Sequence, residues 1–190
     1  MKDILVSLKP YYYYLIGEGI KTDEIRKSMP KADDWSKNGW FYMSKDEKSF
    51  EKIPKEFQEK YRKHFGKVGL KFVCDRIDEY TNYSLEEQRG HIQRREKLLR
   101  NACLTLRDWY NYIGNYTSDK GYAWHITDLV IYDKPKELWE LKKECIGYVR
   151  NDEDWCLETC PEYELGGCDG RYKPIYTPPM SWCYVEELGV

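Results

Sequence analysis

The sequence predicts a mixed α+β domain in which short strands alternate with amphipathic helices. Residues 4–8 and 67–80 alternate apolar and polar side chains with the period of two that is typical of strands. Residues 46–66 carry large apolar side chains at four-residue spacing, the pattern of an amphipathic helix. At 190 residues the chain is long enough to bury a core, and we expect residues 1–190 to form one domain.

The first helix follows directly from the first strand. Pro10 lies where it would open a helix over residues 11–17, and Gly17 or Gly19 would end it. This helix contains four consecutive tyrosines, which cannot all face a core. One or two of them are therefore expected to reach the surface or line a cleft.

Start and stop signals place the later elements. Pro54 is expected near the first turn of the 46–66 helix. In the strand over residues 67–80, the alternation of apolar and polar side chains changes phase near Asp75, and Cys74 is expected to be a small buried side chain. The other predicted elements are a strand at 21–26, a loop at 28–38, an aromatic strand at 39–44, a helix from a capping box at 84–87 to about 103, a helix at 105–113 ended by Gly114, a strand at 122–132 and a closing strand at 182–188 that ties the two ends together.

Composition indicates a soluble globular protein. Hydrophobic residues make up 41% and charged residues 34% of the chain, which leaves little room for disorder. No apolar run approaches the roughly 20 residues of a membrane span, and no secretory signal pattern is present, so we expect a cytoplasmic protein without membrane contact. The 18 Tyr and 7 Trp exceed what a core of this size needs and suit surfaces that stack on bases.

The charge is unevenly distributed around a net value of −2. Residues 1–71 hold 16 Lys and Arg against 11 Asp and Glu, whereas residues 135–190 hold 6 against 12. A near-neutral chain with a local basic surplus is compatible with binding one nucleotide or a short structured RNA, and argues against a general nucleic-acid coat.

Residues 17–27 have the composition of a polar site: two glycines, three cations and three carboxylates follow an aromatic run. If residues 21–26 are extended, alternation places Glu24 and Arg26 on one face and Lys21 and Asp23 on the other. A glutamate beside an arginine can form a bidentate ion pair that leaves guanidinium donors for a phosphate or a base. The alternative is a solvated hairpin edge of mixed charge.

The pattern Gly19-x-Lys21-x-x-Glu24-x-Arg26, which follows Ile-Leu-Val-Ser-Leu-Lys-Pro, resembles the signature of the ASCH family. Two further segments are similar to prophage and bacterial ASCH proteins: Tyr-Ala-Trp-His-Ile-Thr-Asp-Leu at 122–129 and Pro-Pro-Met-Ser-Trp-Cys-Tyr-Val-Glu at 178–186. The resemblance implies a PUA-like β pseudo-barrel with flanking helices, a fold associated with RNA.

The resemblance also implies a cleft around the polar site. Its expected ligand contacts are Lys21, Glu24 and Arg26, joined by Ser44 and Lys45 from a neighbouring strand and by Trp124 and His125 as candidate second contributors. Trp124 or a tyrosine would stack on a base. For His125 the alternative is a partly buried residue with a satisfied hydrogen bond.

Three functions remain open on this basis. The first is binding of RNA or a modified nucleoside in the cleft. The second is an amidohydrolase for N4-acetylcytidine or a related N-acylated nucleoside, with Lys21 and Glu24 as catalytic residues. ASCH enzymes of this type have a threonine nucleophile at the position that Glu24 occupies here. A carboxylate at this position would instead act as a general base toward water. The third is a phage-type interaction protein that binds a host protein.

A cysteine-rich insertion is expected over residues 145–177. Cys156, Cys160 and Cys168 lie in an irregular stretch, and Cys183 or Cys145 would complete a set of four thiolates for structural zinc. Free thiols or a disulfide are the alternatives, and a cytoplasmic location disfavours the disulfide. No organic cofactor is expected.

Overall fold

The structure is a computed structural model that describes residues 1–82, 89–145 and 172–187. Its strands are β1 (Lys2–Leu8), β2 (Asp23–Arg26), β3 (Trp35–Met43), β4 (Val68–Thr81), β5 (Lys120–Lys136), β6 (Lys142–Glu144), β7 (Tyr172–Pro174) and β8 (Trp182–Val185). Its α-helices are α1 (Pro10–Gly17), α2 (Glu47–Phe50), α3 (Lys55–Arg62), α4 (Arg89–Ala102) and α5 (Leu106–Ile113). The predicted α+β class is confirmed.

Six strands form one sheet in the order β2-β5-β4-β3-β1-β8. β1 runs parallel to β3, and the other neighbours are antiparallel. Within the described ranges β2 and β8 remain the two edges of this sheet, so the predicted barrel is not closed by strand pairing. Side chains connect the edges instead: Arg26 Nη1 donates to Ser181 Oγ at 3.3 Å, and Trp182 Nε1 donates to Ser28 Oγ at 3.1 Å.

The pairing of the first and last strands confirms one prediction. β8 lies antiparallel to β1, with Ile4 opposite Tyr184. α1 begins at Pro10 as predicted; its Tyr13 and Tyr14 are buried, whereas Tyr11 and Tyr12 are partly exposed. The four tyrosines thus divide between the core and the surface, as the helical period requires.

Two of the elements that differ from their predicted bounds do so for reasons that the contacts explain. β3 begins at Trp35, inside the predicted 28–38 loop, because the buried Asp3 carboxylate on β1 accepts hydrogen bonds from Ser36 Oγ and Trp40 Nε1 and so secures the start of β3 against β1. The 46–66 segment forms two helices rather than one. Pro54 separates them because proline disfavours helical geometry at the preceding residue and lacks an N–H.

The predicted phase change in β4 is present as a register shift between Cys74 and Ile77. Cys74 is buried, and burial raises the pKa of its thiol to about 12, so it behaves as the small apolar side chain that was expected. The shift brings the exposed Asp75 carboxylate within 2.7 Å of His125 Nδ1.

β6 and β7 pair antiparallel in a two-stranded sheet; β6 precedes the predicted cysteine-rich insertion at 145–177, and β7 lies within that range. Residues 146–171, with Cys156, Cys160 and Cys168, lie outside the described residues, as does the predicted capping box at 84–87. In the described ranges, no helix combines the length and apolar character needed to cross a bilayer.

Candidate functional site

A tight turn after α1 brings Lys21 to the site. Gly19 adopts φ +70°, a left-handed conformation that glycine takes without a Cβ penalty. The N–H groups of Ile20 and Lys21 then both donate to the Leu15 carbonyl, at 2.8 and 3.0 Å. β2 begins only at Asp23, so strand alternation does not govern Lys21. The prediction that Lys21 faces away from Glu24 was therefore wrong.

The Lys21 ammonium is buried, with 3% of the residue exposed. Its Nζ lies 2.7 Å from the Asp23 carbonyl, 2.8 Å from the Ala102 carbonyl and 3.2 Å from Glu24 Oε2. These three acceptors match the three donors of an ammonium group. Lys21 thereby joins β2 to the C-terminal end of α4.

Glu24 lies between two cations. Its Oε2 faces Lys21, and its Oε1 lies 2.9 Å from Arg26 Nη2. Glu24 and Arg26 share a face of β2, as alternation predicts. Each carboxylate oxygen has two lone-pair sites, so each retains one acceptor site after this pairing.

Arg26 uses only part of its donor set. Nη2 also donates to the Ser7 carbonyl at 2.8 Å, and Nη1 donates to Ser181 Oγ. Nε is buried without a hydrogen-bond partner, and the residue is only 5% exposed. The guanidinium thus retains donor capacity in a buried position.

These side chains line a pocket of about 410 Å³, which we call the Glu24 pocket. Its lining residues are Ser7, Leu8, Lys9, Tyr12, Lys21, Glu24, Ile25, Arg26, Leu104, Asp108, Asn111, Tyr112 and Met180. Tyr12 and Tyr112 contribute aromatic rings, and Lys27 Nζ lies 5.5 Å from the centre of the Tyr112 ring. Burial raises the pKa of Tyr12, so its phenol is neutral at physiological pH.

One wall of the pocket comes from α5, which sequence reasoning did not assign to the site. The helix begins at Thr105, where Thr105 and Asp108 form a capping box. Hydrogen bonds from Thr105 lower the pKa of Asp108, whose Oδ2 therefore serves the cap as a carboxylate. The capping box is readable in the sequence, but its position beside β2 depends on long-range packing.

Comparison with solved structures identifies the architecture. The crystal structure of a serine-to-alanine mutant of the ASCH protein from Zymomonas mobilis matches with a TM-score of 0.51 at 17% sequence identity, covering 98% of this chain and 89% of that one. The crystal structure of ASCH from the same organism matches with a TM-score of 0.50 at 18% identity, over the same shares of both chains. The chain has the ASCH fold. No family model matches the sequence, and no curated protein matches it either.

Within the ASCH fold of this chain, four predicted site residues lie outside the lining of the Glu24 pocket. Trp124 is opposite Glu24 in the sheet but fully buried, with its ring 5.9 Å from that of Trp35. His125 is opposite Asp23, on the other face, and hydrogen-bonds to Asp75. The remaining two are Ser44, whose hydroxyl is buried, and the exposed Lys45.

The zinc prediction rests mainly on residues that lie outside the described part of the chain. Of its ligands, Cys183 on β8 and Cys145 after β6 are described, and both have free thiols. Burial raises the pKa of Cys183 to about 11, which favours the thiol over the thiolate in this arrangement. The described ranges contain no cluster of three metal-binding side chains, and zinc stays a prediction.

Proposed function

We propose that this ASCH-fold protein binds a nucleobase in the Glu24 pocket, presented either by an RNA strand or by a modified nucleoside. One observation is the main support for this proposal. A buried carboxylate and a buried guanidinium with unused hydrogen-bonding capacity lie side by side on the wall of a pocket that also contains two tyrosine rings.

The hydrogen-bonding groups fit a base edge better than a phosphate. Glu24 offers acceptor sites and Arg26 offers donors, whereas the donors of Lys21 are already engaged. Each base presents donors beside acceptors, so a base edge complements this pair. A phosphate group presents only acceptor oxygens, and the Glu24 carboxylate would repel its negative charge. In this proposal Lys21 is a positioning residue that fixes Glu24.

The pocket walls support the same ligand class. A volume of about 410 Å³ lies within the range of roughly 300–1,000 Å³ that is usual for small-molecule sites. Aromatic rings such as Tyr12 and Tyr112 stack on bases with little sequence preference. The exposed Lys9 lines the pocket and Lys27 lies beside Tyr112, so cations are available near the pocket for the phosphates of a strand.

The test is the affinity for a short single-stranded RNA and for the four ribonucleosides, measured by titration calorimetry. Tyr112→Ala is expected to weaken binding at least fivefold, because losing one stacking ring costs about 1–3 kcal/mol. Tyr116→Ala is the matched control, since Tyr116 is exposed and does not line the pocket. Arg26→Gln should weaken binding further. Equal affinity of the Tyr112 and Arg26 variants and the wild type would exclude this pocket as the binding site.

Two further experiments test the other two hypotheses. Release of cytidine from N4-acetylcytidine, lost in Glu24→Gln, would identify an amidohydrolase in which Glu24 is the general base. Co-purification of a host protein that survives nuclease treatment, with no affinity for RNA or nucleosides, would favour an interaction protein.

A further inference from the structure

Tyr12 on α1 lines the Glu24 pocket and is partly exposed. Two neighbours hold its ring: the Lys21 ammonium lies 5.6 Å from the ring centre, and the Tyr11 ring lies 6.0 Å away at an interplanar angle of 59°. Lys21 is itself fixed by its contacts to the Asp23 and Ala102 carbonyls and to Glu24. The Tyr12 ring therefore has a defined position before a ligand binds.

The hydroxyl of Tyr12 is an unused group of the pocket wall. Among the described residues it has no hydrogen-bond partner, and its oxygen retains accessible surface. The Lys21 donors beside the ring are, by contrast, already engaged. A phenol can donate one hydrogen bond, so Tyr12 adds an accessible and pre-positioned donor to the pocket.

The surroundings of this hydroxyl keep it protonated. Burial is the main cause that raises the pKa of Tyr12, and the negative charges of Asp108 and Glu24 raise it further. Both carboxylates also line the pocket, and neither accepts a hydrogen bond from Tyr12. The phenol is therefore a neutral donor that is free to bind an acceptor of the ligand.

We infer that the Tyr12 hydroxyl donates a hydrogen bond to an acceptor atom of the bound base, which makes Tyr12 a specificity-determining residue of the Glu24 pocket. This inference rests on the proposed function. Bases present acceptors beside donors. Glu24 can accept from a base N–H while Tyr12 donates to an acceptor of the same base. A ligand without that acceptor would leave the hydroxyl unpaired, and polar sites reject such ligands.

The experiment replaces Tyr12 with phenylalanine, which removes the hydroxyl and keeps the ring beside Lys21. We expect Tyr12→Phe to have the melting temperature of the wild type. It should bind the tightest-binding ribonucleoside about three- to tenfold more weakly, the usual effect of losing one neutral hydrogen bond. Tyr11→Phe is the matched control, because Tyr11 precedes Tyr12 on α1 but does not line the pocket. Its affinity should equal that of the wild type.

Analogues of that nucleoside, each lacking one acceptor atom of the base, distinguish a ligand contact from a structural role. One analogue should bind the wild type more weakly by the same factor, and Tyr12→Phe should bind this analogue as tightly as the wild type does. An equal loss in Tyr12→Phe for every analogue would assign the hydroxyl a structural role and overturn the inference.

Two other results would separate this inference from the proposed function. Wild-type affinity of Tyr12→Phe for the nucleoside would overturn the inference and leave the proposed function standing. Failure of every nucleoside and of RNA to bind would overturn both together.

Discussion

Replacing Lys21 with methionine is expected to lower the free energy of unfolding by about 3–5 kcal/mol, the usual cost of removing one partner of a buried ion pair. The substitution leaves the Glu24 carboxylate with one cation instead of two. It also leaves the Asp23 and Ala102 carbonyls without the ammonium donor. Methionine keeps the length of the side chain, so the loss reflects the charge and its hydrogen bonds rather than a cavity.

Urea unfolding followed by circular dichroism measures this effect. Lys9→Met is the matched control: Lys9 also lines the Glu24 pocket but is exposed, and its replacement should change the free energy of unfolding by less than about 0.5 kcal/mol. A Lys21→Met protein within 1 kcal/mol of the wild type would contradict the role of Lys21 as the residue that secures Glu24.

Gly69→Ala is expected to destabilise the protein by about 3 kcal/mol, at the upper end of overpacking effects. A Cβ at Gly69 would lie 1.9 Å from His64 Nδ1 and 2.7 Å from the Tyr13 hydroxyl. Both residues are fully buried and hydrogen-bonded to each other at 3.0 Å, so neither can move aside without breaking that contact. The strain would act where β4 packs against α1 and the loop that precedes β4.

A double-mutant cycle separates this clash from a general effect of the substitution. His64→Ala removes the ring that the new Cβ meets, so Gly69→Ala should cost much less in that background than in the wild type. An equal loss of unfolding free energy in the two backgrounds would show that the His64 ring does not restrict the side chain at residue 69.

Local sequence patterns were sufficient to predict part of the fold. β1, α1 and the shared face of Glu24 and Arg26 follow from periodicity and from Pro10, because these features depend on neighbours in sequence. The position of Lys21 does not follow from periodicity, since the turn at Gly19 lies outside any repeating pattern. The backbone conformation of that turn determines where the ammonium lies. The extent of β3 was likewise missed because contacts to β1 determine it.

The composition of the pocket depends on contacts between distant segments. Tyr112 and Asp108 line the pocket because α5 packs near β2. α5 follows β2 by about eighty residues, and no local sequence signal specifies this packing. Trp124 shares the Glu24 side of the sheet, yet it is enclosed by other tryptophans and does not line the pocket.

A crystal structure of the protein with its tightest-binding nucleoside would show whether the Glu24 pocket binds a base. We predict that the base lies in the Glu24 pocket, with a base nitrogen within about 3.2 Å of the Glu24 carboxylate and a base acceptor within that distance of the Arg26 guanidinium. Stacking on Tyr12 or Tyr112 should accompany these contacts. A nucleoside bound elsewhere, with Glu24 and Arg26 contacting only each other and the protein, would contradict it.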